Sequence, residues 1–203
     1  MIISIINLKG GVGKTTTAIG LATAAVKDGK KVQVIDADAQ SSASLWAMTA
    51  EENGDPLPFP VIPGNVASVR AVGRGPIKGS HDEYLFVDCP PNGRVMDEAM
   101  DAADMVVVPT TTGPADVIKA FETADTLGAR GIDYAVLLTR IQARTLALRQ
   151  TLLELQERKV SYFDSQIPAR EALKNFFGNC LGDELYGYAE VYAEMKEFVE
   201  NVD

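Results

Sequence analysis

One glycine-rich stretch near the beginning of the chain constrains the fold more than any other feature. Residues 7–16 have the sequence Asn-Leu-Lys-Gly-Gly-Val-Gly-Lys-Thr-Thr. The apolar residues 1–6 before it predict a short buried strand, and residues 17–27 after it predict a helix. Glycines let such a turn approach a ligand closely, and free N–H groups at a helix N-terminus face an anion. The stretch therefore predicts a polyphosphate site.

The residue types in this stretch suggest separate roles. Lys14 would place its ammonium beside the β- and γ-phosphates, and the Thr15 hydroxyl would bind Mg²⁺. The general phosphate-loop pattern G-x-x-x-x-G-K-[ST] is not fully met, because Leu8 stands where the pattern requires its first glycine. A turn with lysines placed by chance is the alternative, but it leaves the flanking strand and helix unexplained. The predicted nucleotide contacts are Gly10, Gly11, Val12, Gly13, Lys14, Thr15 and Thr16.

Composition excludes several classes of protein. The 203 residues, 46% of them hydrophobic, suit one compact domain spanning residues 1–203. No apolar run approaches the roughly 18 residues of a membrane helix. Residues 1–8 lack the basic leader and cleavage site of a signal peptide, and the two cysteines form no C-x-x-C pair. A reducing, cytoplasmic setting is therefore expected.

Apolar runs and helical patterns alternate along the chain. Residues 54–80 carry five prolines and predict a loop, with one or two helical turns at 65–72. The alternation predicts an α/β fold, a single phosphate-loop NTPase domain with a doubly wound, mostly parallel sheet flanked by helices. Further strands are predicted at 31–35, 84–88, 105–109, 134–138 and 162–163, and helices at 41–48, 115–127, 146–159 and 183–199.

Acidic residues follow two of these strands. Asp36 and Asp38 come after the strand at 31–35, and Asp88 ends the strand at 84–88. Because the carboxyl ends of parallel strands share the edge at which open sheets bind ligands, these acids should lie near the phosphate loop. The alternatives are a helix cap for the first pair and a strand that merely ends in an acid for Asp88. We favour the nucleotide site, with Asp88 directed towards Mg²⁺.

The run from Lys9 to Thr15 resembles the deviant phosphate loop, K-G-G-x-G-K-[ST], of the ParA/MinD family of dimerising ATPases. The runs Asp-Ala-Asp-Ala-Gln at 36–40 and Asp-Cys-Pro-Pro at 88–91 match the family's D-x-D-x-Q and D-T-P-P motifs, with Cys89 in place of threonine. The resemblance covers nearly the whole chain and is weakest after residue 130. It implies that Asp38 positions the attacking water and that Asp36 helps to hold Mg²⁺.

The resemblance also implies that Lys9 reaches across a homodimer to the phosphates of the opposite protomer. ATP would then hold a sandwich dimer together, and hydrolysis to ADP would release it. Lys9, Lys14 and Asp38 are the catalytic residues expected on this basis. Many relatives carry asparagine at the position of Thr139 to read the adenine. The expected contacts on the base side of the nucleotide are Thr139, Arg140, Ile167 and Pro168.

Charge is unevenly distributed along the chain. The formal net charge of −9 has the wrong sign for a generic nucleic-acid binder, but residues 139–174 hold seven bases against four acids. The resemblance implies that the ATP-bound dimer binds nonspecific DNA through bases in the C-terminal half. Ordinary solvated surface bases are the open alternative. The candidate DNA contacts are Arg140, Arg144, Arg149, Arg170 and Lys174.

Within the family, the sequence most resembles the small ParA type. The acidic tail is unlike the basic membrane helix of MinD. The phosphate loop begins at residue 7, so an N-terminal DNA-reading extension is not expected. This type implies a cytoplasmic, nucleoid-associated ATPase with weak basal turnover, stimulated by a ParB-like centromere-binding or cargo-adaptor protein. Two alternatives stay open, the positioning of a protein cargo on the nucleoid and a biosynthetic enzyme similar to dethiobiotin synthetase.

Overall fold

A six-stranded sheet forms the centre of the fold in the computed structural model, which describes residues 1–200 apart from the side chains of Lys174 and Glu200. The strand order is β3-β2-β4-β1-β5-β6, and every neighbouring pair is parallel. The predicted doubly wound parallel sheet is confirmed. The strands are β1 (Ile2–Ile5), β2 (Lys31–Asp36), β3 (Val61–Pro63), β4 (Glu83–Asp88), β5 (Met105–Thr110) and β6 (Tyr134–Leu138).

Helices cover both faces of the sheet. Side chains alternate along β1, so Ile3 and Ile5 join one hydrophobic cluster while Ile2 joins the other. The first cluster lies under α1, α2 and α8, and the second under α3, α4, α5 and α6. No helix within residues 1–200 is long and apolar enough to cross a membrane. The helices are α1 (Lys14–Lys27), α2 (Ser42–Glu52), α3 (Val66–Val72), α4 (Arg94–Ala102), α5 (Pro114–Arg130), α6 (Leu146–Glu157), α7 (Glu171–Asn175) and α8 (Tyr188–Glu200).

The last helix packs on the helix that follows the phosphate loop. The apolar residues between 185 and 199 recur at helical spacing and pack against the protein's own core. The ring of Tyr188 lies so close to Gly20 that a Cβ added to Gly20 would come within 2.5 Å of it. Glycine at position 20 therefore lets α8 approach α1 closely. The helix begins at Tyr188, five residues later than predicted.

Two segments differ from the sequence prediction. β3 lies within residues 54–80, which the sequence predicts as loop. Its three residues are partly exposed and stand among prolines, so the sequence shows no strand pattern there. Residues 162–168 form two single bridges, at Tyr162 and Pro168, instead of a strand. Between those bridges, the Glu194 carboxylate accepts hydrogen bonds from the N–H groups of Asp164 and Ser165, both 2.8 Å long. These N–H groups are thus satisfied without a neighbouring strand.

Candidate functional site

The glycine-rich loop lies between β1 and α1 at the carboxyl edge of the sheet. Gly11 and Gly13 have φ angles of 79° and 95°, in the left-handed region that favours glycine. Asn7 is fully buried and anchors the loop from below. Its Nδ2 donates to the carbonyl of Pro109 at 2.8 Å, and its Oδ1 accepts from the N–H of Lys9 at 2.8 Å. The turn is therefore fastened to β5 before any ligand binds.

The two lysines of the loop have different surroundings. Lys14 is buried, and its ammonium donates to the carbonyl of Lys9 at 3.1 Å. Burial lowers the pKa of Lys14, while the charges of Asp88 and Asp38 oppose this effect. The Lys9 side chain is exposed, and its ammonium has no hydrogen bond or ion pair with any residue among 1–200. Lys14 turns inward across the loop, and Lys9 remains available at the surface.

Asp88 lies at the end of β4, directly beside the first turn of α1. The Thr15 hydroxyl donates to Asp88 Oδ2 at 2.6 Å. The other carboxylate oxygen is buried and has no hydrogen-bond partner among the described residues. Burial raises the pKa of Asp88 to about 7, and the nearby Asp36 and Asp38 add to the shift against Thr15 and Lys14. An orphaned carboxylate oxygen next to a hydroxyl is an oxygen donor set that fits Mg²⁺.

Asp36 and Asp38 lie at the adjacent strand end but make different contacts. Asp36 is buried, and its carboxylate accepts from the N–H of Ser44 in the first turn of α2 at 2.7 Å. It also accepts from the N–H of Asp38 at 3.3 Å. Asp38 is half-buried and accepts from the N–H of Gln40 at 3.0 Å. The structure thus brings the three acids together, and it shows that Asp36 caps α2 in addition to any role towards a metal.

A cavity of about 360 Å³ opens beside the glycine loop, and Asp88 is not part of its lining. The four residues predicted for the base side of the nucleotide all line it. The sequence does not predict Tyr188 at this cavity, because the periodicity of α8 indicates only that the residue is buried. Arg170, predicted as a DNA contact, also lines the cavity. The lining residues are Gly13, Thr16, Thr139, Arg140, Ile167, Pro168, Ala169, Arg170, Leu173 and Tyr188.

The candidate DNA contacts do not form one uniform group. Arg140 and Arg170 are exposed at the cavity, whereas Arg144 and Arg149 are exposed outside its lining. None of these four arginines forms an ion pair with another residue among 1–200. The side chain of Lys174 lies outside the described residues. Arg144 and Arg149 are therefore the candidates whose contribution to DNA binding can be tested apart from nucleotide binding.

Comparison with known proteins identifies the family. Residues 3–179 match the family model of the CobQ/CobB/MinD/ParA nucleotide binding domain. The chain belongs to this family. The ParA/MinD resemblance predicted from the glycine loop is thereby confirmed. The roles of individual residues in the site stay predictions.

Similar proteins include both positioning and partition proteins. The chain is 35% identical over 176 residues to the maintenance of carboxysome distribution protein A of Gloeobacter kilaueensis, covering 84% of this chain and 78% of that protein. It is 30% identical over 186 residues to the chromosome-partitioning ATPase Soj of Thermus thermophilus, covering 76% and 75%. The chain spans just over half the length of the Bacillus subtilis and Caulobacter vibrioides relatives, 57% and 55%.

The fold is also similar to that of a solved structure, a putative plasmid partition protein of Borrelia burgdorferi bound to AMPPNP. The TM-score is 0.70 with 21% sequence identity, covering 99% of each chain. At this identity the likeness shows the shared fold.

Proposed function

We propose that this protein is an ATP-dependent, dimerising ATPase that binds nonspecific DNA and segregates plasmid or chromosomal DNA. The observation that carries the proposal is the contrast between the two lysines of one loop. Lys14 is buried and turned across the loop, whereas Lys9 is exposed with its ammonium free of partners within residues 1–200. A cation on the rim of a phosphate site is available to the phosphates of a second copy.

The proposed catalytic arrangement follows from the contacts of the loop. The N–H groups of residues 10–16 and the Lys14 ammonium would bind the phosphates of ATP. Thr15 and Asp88 would hold Mg²⁺, which neutralises charge on the phosphates when bound. Asp38, half-buried at the adjacent strand end, would orient the attacking water. Lys9 would complete the site of the opposite protomer, so that turnover stays slow in the monomer.

Dimerisation is tested by light scattering with Mg²⁺ and either ADP or a slowly hydrolysed ATP analogue. We expect the measured mass of the wild-type protein to double with the analogue. With ADP, the mass should stay that of the monomer. Lys9→Ala should abolish the doubling. Lys31→Ala is the matched control, because Lys31 is exposed at the opposite end of the sheet. Doubling by Lys9→Ala equal to that of wild type would refute the role of Lys9 in trans.

DNA binding is tested with the arginines that lie outside the cavity lining. The double substitution of Arg144→Glu and Arg149→Glu should lower affinity for a random duplex by at least about tenfold, because phosphate contacts dominate nonspecific binding. Nucleotide affinity should not change. Lys31→Glu with Lys78→Glu makes the same change in net charge at residues distant from the cavity. If both double variants lose DNA affinity equally, net charge and not a local surface accounts for binding.

A second candidate function is the positioning of a protein cargo on the nucleoid. The 35% identity to a carboxysome distribution protein supports it. The ATP-dependent dimer and its DNA binding would be the same, and only the adaptor protein would differ. The two functions are separated by purifying the products of neighbouring genes and measuring ATP hydrolysis with each. Stimulation by a small centromere-binding protein supports segregation, and stimulation by a cargo-associated protein supports positioning.

A further inference from the structure

Asn7 lies just after β1, and its side chain takes the place of a main-chain hydrogen bond of the sheet. Between β1 and β5, the N–H of Ile6 donates to the carbonyl of Val107 at 3.0 Å. The next bond of a parallel ladder would join the N–H of Leu8 to the carbonyl of Pro109. That carbonyl accepts instead from Nδ2 of Asn7, at 2.8 Å. The main chain can therefore leave the sheet directly after Asn7 while the carbonyl of Pro109 stays satisfied.

The same side chain also holds the main chain of Lys9. Its Oδ1 accepts from the N–H of Lys9 at 2.8 Å, and the Lys14 ammonium donates to the carbonyl of Lys9 at 3.1 Å. Asn7 and Lys14 are both buried, whereas the Lys9 side chain is exposed. Both main-chain polar groups of Lys9 are thus held from inside the protein while its side chain stands at the surface.

The residues that follow Lys9 add little support of their own. A Cβ added to Gly10 or Gly11 would meet nothing within 4 Å, so this part of the loop lies in open space. Glycine also has more backbone freedom than any other residue. Without the bond from Asn7, only the Lys14 ammonium would hold the main chain of Lys9. The Lys9 ammonium would then be distributed over a larger volume.

We propose that Asn7 is a positioning residue for Lys9, which turns the main chain out of the sheet at a fixed place and so directs the Lys9 ammonium towards a second copy of the chain. This inference rests on the proposed role of Lys9 in trans and names the residue on which that role depends. Ordering a residue before association lowers the entropy cost of the complex that uses it. Each copy contributes one Lys9, so the effect counts twice in a dimer.

The experiment measures two dissociation constants for wild type and Asn7→Ala. Light scattering over a range of protein concentrations gives the Kd of the dimer with Mg²⁺ and a slowly hydrolysed ATP analogue. Calorimetry gives the Kd of ADP with Mg²⁺. Asn7→Ala should raise the dimer Kd at least about tenfold, because each of two copies must then order Lys9 on association. The Kd of ADP should change by less than about threefold, since the hydrogen bonds of the Asn7 side chain go to residues 9 and 109 and not to residues 10–16.

Ser4→Ala is the matched control for a general loss of stability. Ser4 is fully buried in β1, and its hydroxyl donates to the carbonyl of Ala99 in α4 at 2.8 Å. Both alanine variants should be less stable to urea, but only Asn7→Ala should lose dimer affinity. Asn7→Ser is a milder variant, because its shorter side chain can still accept from the N–H of Lys9. Its dimer Kd should lie between those of wild type and Asn7→Ala, and it gives the test if Asn7→Ala does not fold.

Three results would overturn the inference alone. They are an unchanged dimer Kd in both Asn7 variants, an equal loss of dimer affinity in Ser4→Ala, and a loss of ADP affinity as large as the loss of dimer affinity. The last result would mean that Asn7 supports the whole loop and not Lys9 in particular. All three leave the proposed ATPase intact if Lys9→Ala still abolishes the doubling. A wild-type protein that stays monomeric with the analogue overturns the proposed dimer together with the inference.

Discussion

The phosphate side and the base side of the site are built in different ways. On the phosphate side, the left-handed positions are occupied by Gly11 and Gly13. On the base side, such a position is occupied by Arg140, with a φ angle of 54°. A left-handed conformation is sterically free for glycine but costs a residue with a side chain roughly 1–2 kcal/mol. The backbone conformation of Arg140 therefore depends on support from the surrounding structure.

That support comes from distant parts of the chain. The turn after β6 is held by bonds from Thr139 to Val12 and Thr110. At the start of α8, the ring of Tyr188 packs against Gly20 of α1. The phosphate side is thus specified mainly by a local run of ten residues. The base side is specified by tertiary contacts, and changes in those contacts should disturb it first.

The largest effect is expected where the two sides meet, at Gly20. Gly20→Ala should destabilise the protein by about 1–3 kcal/mol, because the added methyl group would overlap the buried Tyr188 ring. Gly128→Ala is the matched control. Gly128 lies in α5, and an added Cβ there meets nothing within 4 Å. That variant should gain about 0.5–1 kcal/mol from helix propensity alone. Urea unfolding of both proteins measures the two changes.

An equal gain in stability from both glycine substitutions would contradict this prediction. It would mean that α8 moves away from α1 at little cost, and that the base side is not held by this contact.

A pH-dependent effect is expected on the phosphate side, at Asp88. Burial raises its pKa from 3.8 to about 7 in the folded protein without ligand. The stability associated with this group is full below pH 4 and is lost as the pH rises through 7. Asp88→Asn removes this dependence, so the variant should be about 1–2 kcal/mol less sensitive than wild type to a change from pH 5.5 to 8. Urea unfolding at both pH values, without nucleotide or Mg²⁺, gives the difference.

Asp125→Asn, at an exposed position of α5, serves as the control for the general effect of removing a carboxylate. Equal pH sensitivity in wild type, Asp88→Asn and Asp125→Asn would show that the Asp88 carboxylate is stabilised by contacts other than those of Thr15 and Lys14.

The same contrast explains what could be predicted from the sequence. The strand, glycine turn and helix of the phosphate side follow one another in the chain, so their residues indicate both structure and chemistry. The positions of Asp36, Asp38 and Asp88 follow from one rule, that parallel strands end at a shared edge. For these residues the sequence contained nearly all the information that the structure uses.

The base side required information that no short run contains. The spacing of Tyr188 and its neighbours in α8 predicts a buried face but not which helix or cavity that face meets. Arg170 is a candidate DNA contact because of its charge and the family resemblance, and the structure places it in the cavity lining. The role of the Thr139 hydroxyl depends on the carbonyl of Val12, 127 positions away in the chain. The sequence does not indicate β3, because this strand is defined by its pairing with β2 and not by its composition.

The smallest effect is expected at the far end of the contact between α1 and α8. The Tyr192 hydroxyl donates to Asp28 Oδ2 at 3.0 Å, at the end of α1, and the Lys196 ammonium donates to the same oxygen at 2.8 Å. Tyr192→Phe should cost about 0.5–1.5 kcal/mol, the net contribution of one hydrogen bond, because Lys196 still satisfies the carboxylate. Tyr134→Phe is the control, since the Tyr134 hydroxyl has no hydrogen bond within residues 1–200 and its loss should change stability by less than about 0.5 kcal/mol.

Comparison of the two ends of α8 by urea unfolding then locates what holds the base side. A larger loss for Gly20→Ala than for Tyr192→Phe means that close packing beside the cavity fixes the helix. A larger loss for Tyr192→Phe would instead mean that α8 is held from its polar end, away from the nucleotide. In that case the cavity wall formed by Tyr188 could shift without unfolding the protein, and base-side substitutions would affect nucleotide affinity more than stability.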